Sequence, residues 1–195
     1  MDMDDGIVFD PASVKASAIR EDNTYGGTRI TLAARIGTAR CTLQVDVGFG
    51  DAVTPQPLTL AYPTLLPGFQ APSLRVYTVD TVMAEKYHAM VMLGQANSRM
   101  KDFYDLAVIA QRSPLDGATL AAAITATFAR RQTPLPTERP LALTAAFGVD
   151  PAKQRQWQAF LNKNRITAAG LPATLVAASQ SDATATWQPA SARWA

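Results

Sequence analysis

Three cations and three carboxylates lie within two short segments of this chain. The first segment supplies Glu85 and Lys86, and the second is the run Asn97-Ser98-Arg99-Met100-Lys101-Asp102-Phe103-Tyr104-Asp105. Carboxylates hold Mg²⁺ against phosphate oxygens, and lysine or arginine neutralises the charge that develops on a transferred phosphoryl group. Side chains of these types, gathered in this way, therefore indicate phosphate and metal chemistry.

A further carboxylate, Asp46, lies near the end of a segment that has the pattern of a strand. Apolar residues at 41, 43, 45 and 47 alternate with polar ones, which places Asp46 on the polar face. Gly48 and Gly50 follow and allow the backbone to turn beside this carboxylate. Asp46 and the two charged segments together suggest a nucleotidyltransferase-like site, in which their convergence is a hypothesis.

Each of these groups also has an ordinary structural explanation. Lys101 and Asp105 are four residues apart, so they could form an ion pair on a solvated helix face. Asp46 could be a polar residue on an exposed strand face or a loop cap. Lys86 falls within the apolar stripe of its helix, so its ammonium group either reaches out to water or is held for an anion. Spacing alone leaves these alternatives open.

The elements that must position these residues follow from periodicity and capping residues. Alternation predicts two antiparallel strands at 30–36 and 41–47, and five prolines predict an extended connection over 52–77 with one short strand near 74–77. Helical spacing predicts four helices, which begin at Thr78 or Asp80, at Asn97 or Ser98, near residue 115 and at residue 151. They end near residues 93, 111, 131 and 163, and one more helix is expected near 171–179.

These elements suggest three parts. We expect an α/β part over residues 1–112, a helical part over 113–165, and a weakly ordered tail over 166–195 that is rich in Ala, Ser and Thr. A chain of 195 residues that is 48% hydrophobic and 17% charged is long enough to bury a core. No apolar run has the length of a membrane span, which predicts a cytoplasmic protein with no membrane partner.

Net charge leaves the binding partner open, and the rarer residues offer little support for several kinds of site. A net charge of +2 is too small to indicate nucleic-acid binding by its field alone. His88 is the only histidine, so a histidine-based metal site or a Ser-His-Asp triad has little to draw on, and we interpret His88 as structural. Cys41 cannot form an internal disulfide, and its place on the apolar side of its strand predicts a small core residue.

Six segments carry a family pattern in order along the chain. They are Asp4-Asp5-Gly6-Ile7-Val8-Phe9-Asp10, Tyr25-Gly26-Gly27-Thr28-Arg29, residues 43–51 around Asp46, residues 81–86 ending at Lys86, residues 97–105, and Trp157-Gln158-Ala159-Phe160-Leu161. Together they resemble the AbiEii/AbiGii toxin family of nucleotidyltransferase-like proteins, over residues 4 to about 163. The resemblance implies an α+β fold of the DNA polymerase β-like nucleotidyltransferase type. Its small mixed sheet would be partly missing at the N-terminus, and its C-terminal half would be helical.

The same resemblance implies an activity, cofactors and partners. The protein would be the toxin of a type IV toxin-antitoxin or abortive-infection pair, with a cognate antitoxin. Relatives use a nucleoside triphosphate and Mg²⁺ to modify an acceptor, which in some is the 3′ end of tRNA. By matching position, Asp46 would be the third metal carboxylate, and Lys86 and Arg99 would bind the nucleotide. The charged helix motif at the cleft would consist of Lys101, Asp102 and Asp105.

One part of the family pattern is not matched. The Gly-Ser turn and Asp-x-Asp strand of the nucleotide site should precede Asp4, and Asp2-Met3-Asp4 matches the second motif only in letters, without strand-forming residues around it. We therefore expect an N-terminally shortened member that lacks two metal carboxylates and is inactive by itself. The alternative is a non-catalytic binding or interaction module with the same fold. A sheet edge left open could pair two copies into a homodimer.

Overall fold

The structure is a computed structural model that describes residues 6–19, 26–171, 173–174, 187–188 and 193–194. The chain divides into two units, Met1–Asp51 and Ala52–Ala195. The first unit contains strands, and the second contains a hairpin and all the described helices, so the fold is mixed α+β, as predicted. The boundary expected at residue 112 falls inside the second unit, between two of its helices.

The first unit is a three-stranded antiparallel sheet with the order β1-β2-β3. Its strands are β1 (Ile7–Ile19), β2 (Gly27–Ile36) and β3 (Ala39–Gly48). The β2–β3 hairpin was predicted, and it turns at Gly37, which has a φ of 56°. Strand β1 was not predicted as a strand, because Pro11 and a register shift between Asp10 and Lys15 interrupt its alternation.

The apolar face of this sheet differs from the prediction. Cys41 was expected in the core, but its thiol is free and exposed. Leu43 and Val45 on the same strand are also exposed, and Ala34 is the one buried residue among those described in this unit. The prediction for Cys41 was wrong because alternation identifies an apolar face but does not supply the layer that must cover it.

The second unit begins with a short antiparallel hairpin formed by β4 (Leu58–Ala61) and β5 (Ser73–Val76). Only the second strand was predicted, because the prolines of this region obscure the first. The segment before β4 is tied to the first helix by Thr81, whose hydroxyl donates to the Thr54 carbonyl and accepts from the Thr54 N–H. Thr81 is fully buried, so these bonds are shielded from water.

Five α-helices follow in the described part of this unit. They are α1 (Val79–Leu93), α2 (Met100–Arg112), α3 (Gly117–Arg130), α4 (Ala145–Val149) and α5 (Pro151–Asn164). Four begin at side chains that accept hydrogen bonds from the first turn: Thr78 caps α1, Asp116 caps α3, Thr144 caps α4 and Asp150 caps α5. Helix α2 starts later than predicted, at Met100, because Asn97 Oδ1 accepts from the Arg99 N–H before the helix begins.

The core of the second unit lies between its helices. Helix α1 packs against α3, and α2 contacts both α1 and α5. Phe103 of α2 stacks on Phe147 of α4 with ring centroids 5.3 Å apart, and both rings are completely buried. The face of α2 that carries Phe103, Leu106 and Ala107 is therefore fixed in the core. This fixes the direction in which the charged residues of the same helix project.

Two further expectations concern membranes and the tail. No described helix is long and apolar enough to cross a membrane. The helix predicted near 171–179 and most of the tail predicted over 166–195 lie outside the described residues. Of that tail the structure describes residues 166–171, 173–174 and the paired segments Trp187–Gln188 and Arg193–Trp194.

Candidate functional site

The ammonium group of Lys86 lies between two carboxylates of the neighbouring helix. Lys86 Nζ is 2.8 Å from Asp102 Oδ1 and 2.7 Å from Asp105 Oδ2. The three side chains are largely shielded, with 16%, 7% and 20% of their surface exposed. Both contacts are charge-assisted hydrogen bonds, which are stronger than bonds between neutral groups. The stripe position of Lys86 is thus explained by two acid partners on α2.

Helical spacing brings these groups together. Asp102 and Asp105 are three residues apart, so their side chains leave α2 on the same side. Lys86 leaves α1 between Val82 and Met90, which are respectively half-buried and fully buried. Its stem therefore lies along apolar surface, while its ammonium reaches the two carboxylates.

Two more cations complete the group on its outer side. Arg99 Nε lies 2.7 Å from Asp102 Oδ2, although its N–H is not aligned for a hydrogen bond. Lys101 Nζ donates to Asp105 Oδ2 at 2.5 Å. These two side chains are 47% and 71% exposed, in contrast to the shielded Lys86. We call the set Lys86, Arg99, Lys101, Asp102 and Asp105 the charged network.

The charged network is net positive, because three cations oppose two carboxylates. Burial acts to raise the pKa of Asp105, but hydrogen bonds from Lys101 and Lys86 outweigh it, so this pKa lies below its usual range. Burial acts to lower the pKa of Lys86, but the two carboxylates outweigh it and raise this pKa. Both groups therefore remain ionised at neutral pH.

Asp46 lies in the other unit, on β3. It is directly opposite Arg29 on β2, and the guanidinium binds both carboxylate oxygens: Nε is 2.8 Å from Oδ1 and the terminal nitrogen is 2.8 Å from Oδ2. Gln44 Nε2 is a further donor, at 3.3 Å. These bonds, those of Arg29 above all, hold the pKa of Asp46 below its usual range. Asp46 is therefore an ionised carboxylate whose oxygens already have donors.

The described residues contain no group of three or more His, Cys, Asp or Glu side chains placed to hold a metal ion. Asp102 and Asp105 are bound by cations, and Asp46 is bound by Arg29. Mg²⁺ needs about six oxygen ligands and usually takes one or two carboxylates with phosphates and waters. In the described part of the chain, each of these three carboxylates thus has a cationic partner within the protein.

Two polar residues of α1, Glu85 and His88, have partners outside the charged network. Glu85 is adjacent to Lys86 in the sequence, but its carboxylate pairs with Arg131, just beyond the end of α3, at 2.5 Å. His88 is buried against the ring of Phe128, and its Nε2 lies 2.9 Å from Thr133 Oγ1. Burial, with a smaller contribution from Arg131, lowers the pKa of His88 to about 4. A neutral, packed imidazole agrees with the structural interpretation of this residue.

Three contributors could not be recognised from the sequence. Arg29 belongs to one of the six family segments, but its bond to Asp46 depends on the strand register. Asn97 has the pattern of a helix cap, and no pattern assigns a role to Lys153 of α5. The sequence shows only that Lys153 lies in the first turn of a capped helix, and this position does not specify its partner.

A family model for the nucleotidyl transferase AbiEii toxin of type IV toxin-antitoxin systems matches residues 2–173. The chain belongs to the AbiEii family. The mixed α+β architecture is compatible with the nucleotidyltransferase-like fold of that family. No curated protein and no solved structure matches the chain. This AbiEii protein is thus a nucleotidyltransferase-like toxin of a type IV system, and its family implies a cognate antitoxin.

Proposed function

We propose that this AbiEii protein belongs to the cytoplasmic enzymes that transfer a nucleotidyl group from a nucleoside triphosphate to an acceptor such as tRNA. We further propose that its charged network binds the triphosphate. The observation that carries the proposal is the difference in exposure between the cations of the network. Lys86 holds Asp102 and Asp105 from the inside, and Arg99 and Lys101 remain exposed on the outside. Exposed cations on a fixed helix are suited to anionic phosphates.

The roles within the network follow from exposure. Asp102 and Asp105 use two of the three N–H donors of Lys86, and its side chain is only 16% exposed, so Lys86 has at most one donor for the triphosphate contact that its place in the family pattern implies. We therefore assign the first phosphate contacts to Arg99 and Lys101, and we assign Lys86 the task of orienting Asp102 and Asp105. The carboxylates keep the outer cations in place and limit their motion, so less conformational freedom is lost when phosphate binds.

Asp46 is proposed as one carboxylate of the magnesium site. Its ionised state suits this role, but Arg29 occupies both oxygens, so Mg²⁺ would have to displace the guanidinium and take its remaining oxygen ligands from phosphate, water or other residues. These 195 residues contain no Gly-Ser turn followed by an Asp-x-Asp strand. We accordingly propose that these 195 residues bind triphosphate but do not transfer nucleotides without that element.

The test combines binding and transfer. Tripolyphosphate and each nucleoside triphosphate are titrated into the chain, with the double variant Arg99→Gln, Lys101→Gln and the control Arg112→Gln, an exposed residue at the other end of α2. We expect the double variant to bind several-fold and at most about thirtyfold more weakly, since each exposed charge pair is worth up to about 1 kcal/mol. Equal affinity in all three proteins would refute the phosphate-binding role.

Transfer is measured with labelled nucleoside triphosphates, Mg²⁺ and total tRNA. No label should enter tRNA with the 195-residue chain, and incorporation that Asp46→Ala abolishes would show that the chain is active as it stands. The alternative function is a non-catalytic binding module, for which triphosphate binding without transfer is the expected behaviour. The two functions are distinguished by assaying transfer with a longer product of the same gene, if the upstream DNA encodes Gly-Ser and Asp-x-Asp in frame. Only the enzyme should then transfer label.

We also propose a homodimer formed through β3. This strand is an edge of its sheet over ten residues, and nearly all of them are exposed. An edge of that length can pair with the same strand of a second copy by antiparallel hydrogen bonding. Sedimentation equilibrium at micromolar to hundred-micromolar concentration should show a dimer. A single species with the mass of one chain over that whole range would contradict the proposal.

A further inference from the structure

Lys153 of α5 is a buried lysine near the start of α2. Only 5% of the residue is exposed. Its Nζ donates to the backbone carbonyl of Asn97 at 2.9 Å and lies 3.5 Å from Gln156 Oε1. The same nitrogen is 5.1 Å from the centre of the Phe147 ring, within the range of a cation–π contact. These contacts are all with neutral groups, which makes the position costly for an ammonium ion.

Asn97, which receives this hydrogen bond, is completely buried as well. Its side-chain Oδ1 accepts from the backbone N–H of Arg99 at 2.9 Å. Its Nδ2 has no hydrogen-bond partner among the described residues. Asn97 therefore accepts hydrogen bonds at two oxygens. Its backbone carbonyl accepts from Lys153, and its side chain accepts from Arg99, a member of the charged network.

The contacts continue without a gap into that network. Arg99 lies 2.7 Å from Asp102, and Asp102 accepts from Lys86 at 2.8 Å. A second, apolar path runs in parallel, because the Phe147 ring beneath the Lys153 ammonium stacks on Phe103, the residue after Asp102. Lys153 of α5 is thus connected to α2 by two routes, a polar one through Asn97, which precedes the helix, and an apolar one through Phe147 of α4.

We propose that Lys153 is a positioning residue that fixes the segment 97–99 and so sets the orientation of Arg99 and Asp102 for phosphate binding. The functional half of this inference rests on the proposed function, whereas its structural half does not. A methionine would fill a similar volume without the cost of burying a charge. What methionine cannot supply is the directed N–H bond to the Asn97 carbonyl.

The first test compares Lys153→Met with Lys163→Met, a matched change at an exposed lysine on the same helix. Hydrogen exchange of the Arg99 amide should be about tenfold faster in Lys153→Met, the loss expected for one charge-assisted hydrogen bond, and unchanged in the control. Amides in the middle of α3 serve as the reference for global stability. Equal acceleration at Arg99 and in α3, or none at Arg99, would overturn the proposal.

The second test is a double-mutant cycle for tripolyphosphate affinity. If Lys153 acts through Arg99, Lys153→Met should weaken binding about fivefold in the wild type and have little effect in an Arg99→Gln background. Equal losses in both backgrounds would show a general structural role and overturn the positioning role. If Arg99→Gln alone leaves the affinity unchanged, the proposed function fails, and the exchange rate of the Arg99 amide still decides whether Lys153 positions the segment.

A third variant covers the case in which Lys153→Met does not fold. Asn97→Asp keeps the oxygen that binds the Arg99 N–H, whereas Asn97→Leu removes it at similar volume. Asn97→Asp should retain slow exchange at Arg99, and Asn97→Leu should lose it by about tenfold. Similar behaviour of the two variants would contradict the role of this segment.

Discussion

Lys86 Nζ lies 2.8 Å from Asp102 Oδ1, and this contact joins α1 to the first turn of α2. The bond links two residues that the sequence separates by a loop, and it leaves the cation of α1 neutralised within the protein. An ammonium held in this way orders its acid partners more readily than it captures a free anion. Several measurable consequences follow from the difference between this inner lysine and the exposed cations around it.

The first prediction concerns the stability of the inner pair. Lys86→Met removes one partner and leaves two shielded carboxylates with fewer cations, so we expect a loss of about 2 to 3 kcal/mol in the free energy of unfolding. Lys101→Met, at a side chain that is 71% exposed, should cost less than about 1 kcal/mol. Urea denaturation of both variants measures this. Equal costs would mean that the burial of Lys86 adds nothing to the strength of its pairs.

The second prediction concerns acid stability. Because the pKa of Asp105 is lower in the folded protein than in the unfolded chain, its pairs stabilise the fold above the unfolded pKa of about 4, and this stabilisation is lost as the pH falls through the folded value. Asp105→Asn should therefore be less stable than the wild type at pH 7, with a difference that shrinks below pH 4. Denaturation curves from pH 7 to pH 3 measure it. A constant difference would contradict the shifted pKa.

The third prediction uses His88. Its folded pKa of about 4 lies below the unfolded value of about 6.5, so the unfolded chain binds the proton first, and stability falls as the pH drops from about 6.5 to 4. Between pH 7 and pH 5 the wild type should lose about 2 kcal/mol at this residue. His88→Gln should lack that loss and can still bond Thr133. Parallel slopes for the two proteins would show that the imidazole is not held neutral.

Sequence patterns predicted α1, α2, α3 and α5, whereas α4 was not predicted. Thr78 and Asp150 accept hydrogen bonds from the first turns of α1 and α5, at the helix starts that the sequence indicates. These features depend on contacts within three or four residues, which a sequence states directly. Helix α2 was misplaced at its start only because Asn97 bonds to Arg99 instead of opening the helix.

Partners from elsewhere in the chain could not be predicted. The carboxylates that hold Lys86 come from another helix, Arg29 reaches Asp46 through strand register, and Lys153 reaches Asn97 across 56 positions. The exposure of Cys41 has the same origin, because its strand has an apolar face whose cover the pattern does not specify. Long-range pairing depends on how elements pack, and a local pattern is compatible with several packings.

The final prediction concerns Asp46 as a metal ligand. Arg29 binds both oxygens of this carboxylate, so a divalent cation must displace the guanidinium before it can bind. In Arg29→Gln the oxygens lose this competitor, and Mn²⁺, which takes the same oxygen ligands as Mg²⁺, should bind more tightly. Paramagnetic broadening of the amide signals of β3 reports this binding. We expect broadening centred on Asp46 at lower Mn²⁺ concentration in Arg29→Gln than in the wild type, and none in Arg29→Gln, Asp46→Asn. If neither the wild type nor Arg29→Gln broadens near Asp46, the carboxylate is a cross-strand partner of Arg29 and not a metal ligand in this chain.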